Sequence, residues 1–191
     1  AFLFANGGHE DPKQLSANAG KSFQGSIVLG MGFTFDDSGP ADDDTPGIPS
    51  PIATMQRLIA ENPKNAEVIF PYIGGEEVNS SPTHAHHRYV INFGERNERE
   101  CMAEWPDLMA IVAKKVKPER ERLRDNSDGR RRKQYWWQFG RCTPALESAV
   151  EESNYRCLAC PRTSKNLAFA RLNAKVVFSE NLVLIPGASS L

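Results

Sequence analysis

Apolar residues in this chain come only in short, interrupted runs, and that feature restricts it to a fold of brief strands and modest helices. Val68-Ile69-Phe70, Val176-Val177-Phe178 and Leu182-Val183-Leu184-Ile185 are strand-sized, with proline, glycine and asparagine breaking the intervals between such runs. No run approaches the roughly 18 apolar residues of a membrane span. The 191 residues are 40% hydrophobic and 25% charged, the composition of an ordinary globular protein rather than a fibrous or disordered one. The expected fold class is α+β, a mixed β-sheet with packed helices, with 1–191 forming one domain.

Along the chain, residues 22–35 are rich in β-branched and aromatic types and read as a strand or hairpin, with close backbone approach expected at Gly25, Gly30 and Gly32. Residues 36–50 are acidic and full of breakers, which predicts a flexible loop. Ser50 as N-cap and Pro51 at the first position predict a helix to about Ala60, burying Ile52, Met55, Leu58 and Ile59. Val68-Ile69-Phe70 and Arg88 to Phe93 read as strands, the first ending in a turn from Pro71. A helical stretch from about Glu100 to Asp125, interrupted near Pro118, presents Leu108, Ile111, Val112 and Val116. Thr143-Pro144 opens another helix to about Ser153. The strand-rich part, 155–185, holds four short strands: Tyr155 to Cys160, Leu167 to Leu172, Val176 to Phe178 and Leu182 to Ile185.

Several chemistries are poorly supported. The glycines of 25–32 lack the Gly-Lys-Ser/Thr ending of a phosphate loop. Cys157 and Cys160 have metal-ligand spacing but no second pair, and four cysteines read as reduced thiols. Asp42, Asp43 and Asp44 lack an ordered ligand geometry. His84, His86 and His87, with Glu76 and Glu77, define an alternative reading, a metal-dependent enzyme, although adjacent histidines on a strand face opposite ways. The start at Ala1-Phe2-Leu3-Phe4, without an initiator methionine or basic leader, is expected of a piece of a longer, soluble, cytoplasmic protein.

Charge is more informative. Residues 1–110 hold seven Lys/Arg against sixteen Asp/Glu, residues 111–141 eleven against four, and residues 142–191 five against four. A net of -1 therefore conceals a basic band of +7, as expected of a polyanion-binding surface. Its densest part is Arg130-Arg131-Arg132-Lys133, followed by Tyr135-Trp136-Trp137. Guanidinium groups pair bidentately with phosphate, and exposed aromatic rings stack on bases. For the two tryptophans, however, core packing is the expected role. Around Lys114 to Arg124 the interspersed Glu119 and Glu121 also fit a solvated helical face.

Six phrases occur in the order of one known family. They are Ser22-Phe23-Gln24-Gly25-Ser26 with Gly30-Met31-Gly32-Phe33; Ile69-Phe70-Pro71-Tyr72-Ile73-Gly74-Gly75-Glu76; Tyr89-Val90-Ile91-Asn92-Phe93-Gly94; Val116-Lys117-Pro118-Glu119-Arg120; Tyr135-Trp136-Trp137-Gln138-Phe139; and Arg162-Thr163-Ser164-Lys165. Spread over roughly residues 14–185, they resemble the C-terminal target-recognition region of Type IIG restriction-modification enzymes and related adenine-N6 DNA methyltransferases.

The resemblance implies a target-recognition-domain-like fold and double-stranded DNA as partner. It also implies a covalently linked methyltransferase domain that binds S-adenosylmethionine and flips the target adenine. The Asn/Asp-Pro-Pro-aromatic tetrapeptide of that domain does not occur here, Asn62-Pro63-Lys64 being the nearest approach, and the cofactor's glycine motif is also missing. No catalytic, cofactor or metal residue is therefore assigned to this piece. Arg130, Arg131, Arg132, Lys133 and Arg141 are the phosphate candidates. Arg162, Ser164, Lys165, Asn166, Arg171 and Asn173 are the base-reading candidates, being types whose donors and acceptors match base edges. A third reading makes the piece an interaction module of the parent enzyme, its basic band docking on an acidic partner.

Overall fold

A computed structural model describes residues 20–173 and 175–187. The Ala1 phrase lies outside the described residues, as does the side chain of Asn173. The fold is α+β, with two four-stranded sheets and seven α-helices among the described residues.

The stretch 22–35 does not form one hairpin. Its two short strands, β1 (Phe23–Gln24) and β2 (Thr34–Phe35), belong to different sheets, separated by a 3-10 turn at Met31–Phe33. Helix α1 (Ile52–Glu61) buries Met55 and Leu58 as expected but starts one residue late, with Pro51 in the cap position. Ser50 is not its cap: the Ser50 hydroxyl accepts from Lys115 Nζ at 2.9 Å, and the Asp37 carboxylate accepts the Ile52 N–H instead. A carboxylate at a helix N-terminus meets the unpaired amides and the positive end of the dipole.

Strand β3 (Ile69–Ile73) runs through Pro71 rather than turning there. Asn92 donates its N–H to Val68 O, which places the hydrogen-bonded pairs of the next strand opposite 68, 70 and 72. Pro71 thus faces away from that strand, and its missing N–H leaves the ladder intact. Helix α2 (Gly75–Ser80) follows, then β4 (Arg88–Ile91).

The predicted long helix breaks at Trp105-Pro106 as well as near Pro118, giving α3 (Glu98–Glu104), α4 (Pro106–Lys115) and α5 (Lys117–Glu121). The dense basic run forms a helix of its own, α6 (Ser127–Gln134), capped by the Asn126 side chain at Gly129 N. Helix α7 (Pro144–Glu152) begins at the expected proline, and β5 (Arg156–Pro161), β6 (Ala170–Asn173), β7 (Val177–Phe178) and β8 (Leu182–Pro186) are the last elements among the described residues.

The first sheet, in the order β2-β4-β3-β7, is mixed because β7 lies parallel to β3. Its core joins Phe33, Phe35, Ile91 and Phe93 to Leu108 and Val112 of α4. The second, β1-β8-β5-β6, is antiparallel and buries Leu182, Leu184 and Ala159 with Leu146 and Val150 of α7. Among the described residues no helix is long and apolar enough to cross a membrane.

Gly25 joins the two sheets. A Cβ there would lie 2.2 Å from Ser179 O and 2.5 Å from Phe178 O, and its own N–H is committed to Leu182 O. Backbone on both sides leaves nothing flexible to yield. Gly25→Ala is expected to cost at least about 1–3 kcal/mol, the scale of overpacking, read as a fall in the urea midpoint.

Candidate nucleic-acid interface

The basic band divides into cations that build the fold and cations that face solvent. Lys115 is fully buried on α4, donating to Asp42 O and Ser50 Oγ, and Lys114 pairs with Asp44. The acidic segment 36–50 is a loop, tied to α4 by these bonds and to α1 by Asp43, which accepts from Thr54 Oγ1. Burial lowers the Lys115 pKa despite the neighbouring aspartates. Arg120 is 3% exposed and donates through one nitrogen to Val28 O, Leu29 O and Gln138 O; burial pulls its guanidinium down to about 10. It pins the segment in which Leu29 takes a left-handed backbone (φ 51) and Gly30 extends it (φ 127), a strain that marks a constrained site.

The aromatic turn is structural rather than a stacking platform. Trp136 and Trp137 are 4% and 5% exposed, with their indole N–H groups donating to Glu98 Oε1 and Arg96 O. Tyr135 alone of the three is exposed, under the Arg131 guanidinium at 5.9 Å.

Within the solvent-facing run, Arg130 and Arg132 pair with Asp125 and Asp128. Exposed pairs such as Arg130–Asp125 contribute little to stability, while the Arg132 side chain is only 23% exposed. Arg131 bonds instead to Gly140 O at 3.1 Å, beside Arg141. Arg141 Nη2 donates to Gln24 Oε1 at 2.8 Å, Gln24 Nε2 donates to Glu180 O at 3.0 Å, and Arg162 Nη1 donates to the same carbonyl at 3.3 Å. Arg131, Arg141 and Arg162, from three separated parts of the sequence, thereby stand on one hydrogen-bonded ridge. Lys133, two residues beyond Arg131 on α6, is half-buried and turned to a different face of the helix.

From Arg162 the ridge runs into the loop between β5 and β6, where every residue of 162–169 is exposed. Ser164, Lys165 and Asn166 are in this loop, and Arg171 is exposed on β6. The backbone of Asn173 pairs with Arg156 in the same sheet. The stem is fixed by Arg162 N to Asn181 O at 2.8 Å and by Asn79 Nδ2 to Thr163 O at 3.3 Å. The base-reading candidates thus share one protruding hairpin next to the ridge.

A cleft of about 590 Å³ opens beside the stem, lined by Leu29, Met31, Gly74, Arg88, Thr163 and Asn181 among others. It gathers the phrases around Gly30, Gly74 and Thr163, which lie far apart in sequence. Its floor rests on a buried ion pair: the Glu77 carboxylate accepts from Arg88 Nε and Nη2, both at 2.8 Å, and from Gly74 N. Sequence reasoning missed Gln24, Leu29, Met31, Asn79 and this pair, because only the three-dimensional fold brings them together.

His84, His86 and His87 do not assemble a metal centre. His87 Nδ1 is 3.5 Å from the already committed Glu77 carboxylate, His84 approaches Glu77 O, and His86 packs edge-on against Tyr89. Among the described residues no group of three His, Cys, Asp or Glu is placed to hold a metal ion.

No protein-family model matches the chain, and no curated protein matches it. Its fold is similar to part of a solved structure of the Type IIL restriction-modification enzyme MmeI in complex with DNA. The TM-score is 0.61 at 16% sequence identity, over 88% of this chain. The chain spans 19% of that enzyme's length.

Proposed function

We propose that this chain is the DNA target-recognition region of a cytoplasmic restriction-modification enzyme of the Type IIG kind. It reads duplex sequence for a linked adenine-N6 methyltransferase domain that uses S-adenosylmethionine. The observation that carries this reading is the ridge from Arg131 through Arg141 to Arg162, leading into an exposed hairpin that carries Ser164, Lys165, Asn166 and Arg171. The fold it shares with part of a DNA-bound restriction-modification enzyme supports it.

In this reading the ridge guanidiniums hold phosphates and set register, with Arg130, Arg132 and Lys133 extending the track. Lys165, Asn166, Arg171 and Ser164 reach base edges from the hairpin. Repeated selection of a random duplex pool on the chain tests it. A short motif is expected to emerge, and Lys165→Ala or Arg171→Ala to relax one position of it at a cost of about 1–3 kcal/mol. A pool that binds yet stays random after selection contradicts sequence reading.

A further inference from the structure

The hairpin carries two large apolar side chains that the packing of the fold does not use. Leu167 is 83% exposed and Phe169 54% exposed, the most exposed large hydrophobic residues of the described chain. Ala170 and Leu172 are buried while Arg171 is exposed, so the alternation of β6 directs its outer face to solvent. Phe169, immediately before β6, shares the exposure of Arg171.

The hairpin itself carries cations and no acidic residue. No Asp or Glu occurs anywhere in residues 153–179, whereas Arg162, Lys165 and Arg171 flank the two apolar groups. Exposed apolar groups set among cations on a fixed stem are complementary to a polyanion with an apolar interior. A stacked duplex has that arrangement.

We infer that Leu167 and Phe169 form a wedge that enters between adjacent base pairs of duplex DNA while Arg162 at the stem holds a flanking phosphate. The inference rests on the DNA-recognition reading above. Insertion costs the unstacking of a base step, and contacts with the opened duplex offset it. DNA that is already unstacked spares that cost.

The test compares binding of the whole chain to an intact duplex and to the same duplex with a central unpaired bulge. The variant carries Leu167→Ala and Phe169→Ala, and exposed positions leave its fold and urea midpoint unchanged. Unstacking costs a few kcal/mol, so the unaltered chain is expected to prefer the bulged duplex by about tenfold or more. The double variant is expected to lose that preference while keeping salt-dependent binding. Equal affinity of the unaltered chain for both duplexes, or a preference that survives in the variant, overturns the wedge and leaves DNA recognition standing. Failure to bind either duplex overturns the wedge together with the reading beneath it.

Discussion

Glu77→Ala is expected to destabilise the protein by about 3–5 kcal/mol, the scale for removing one partner of a buried ion pair. The Glu77 side chain is fully buried and the Arg88 side chain is 15% exposed. Alanine would leave the Arg88 guanidinium without its counter-charge and the Gly74 N–H without its acceptor. The stacking of Arg88 on Tyr72, 5.1 Å from the ring centroid, would not replace either. A double variant with methionine at both positions should be less destabilised than Glu77→Ala, because paired apolar replacements leave no charge unmatched. Urea unfolding of the three proteins measures the contrast. A loss below about 1 kcal/mol for Glu77→Ala, the worth of an exposed pair, would contradict the role given to this pair.

The largest effect on binding is expected from Arg131→Ala, Arg141→Ala and Arg162→Ala combined. Each guanidinium is held on the ridge by a neutral acceptor, so each brings an uncompensated charge to a phosphate. At about 1.5 kcal/mol for each, the low end for a hydrogen bond to a charged group, their joint removal weakens duplex binding by about a thousandfold or more. Arg130→Ala with Arg132→Ala should do less, because each of these already shares its charge with an aspartate. The variants differ in surface groups alone, so thermal unfolding is expected to separate them little. An effect larger for the Arg130 and Arg132 pair would move the phosphate track off the ridge to those two arginines.

Elements with a local cause were legible in the sequence. The proline at the start of α7, the apolar stripe of α1 and the short runs behind β5 and β8 each act within a few residues, and each appears near its expected place. Helix α6 escaped because it has no apolar stripe to repeat; a side-chain cap at Asn126 and the Arg132–Asp128 pair one turn apart support it instead. Ser50 looked like a cap because nothing local shows that Lys115, 65 residues away, claims its hydroxyl. The same blindness hid Arg120, which reads as one more cation of a basic band yet is buried beneath the cleft. Of the candidate site, residue types were legible and neighbourhood was not: Arg141 and Arg162 were assigned separate roles, and only the Gln24 and Glu180 bonds put them on one ridge.

Fluorescence anisotropy of a labelled duplex across a salt series tests whether this ridge binds phosphate. Binding that weakens steeply with salt is expected, with a logarithmic slope flattened by about 2.7 in the variant lacking Arg131, Arg141 and Arg162, at roughly 0.9 for each phosphate no longer neutralised. No binding at low salt, or a slope unchanged in that variant, would contradict phosphate binding by the ridge.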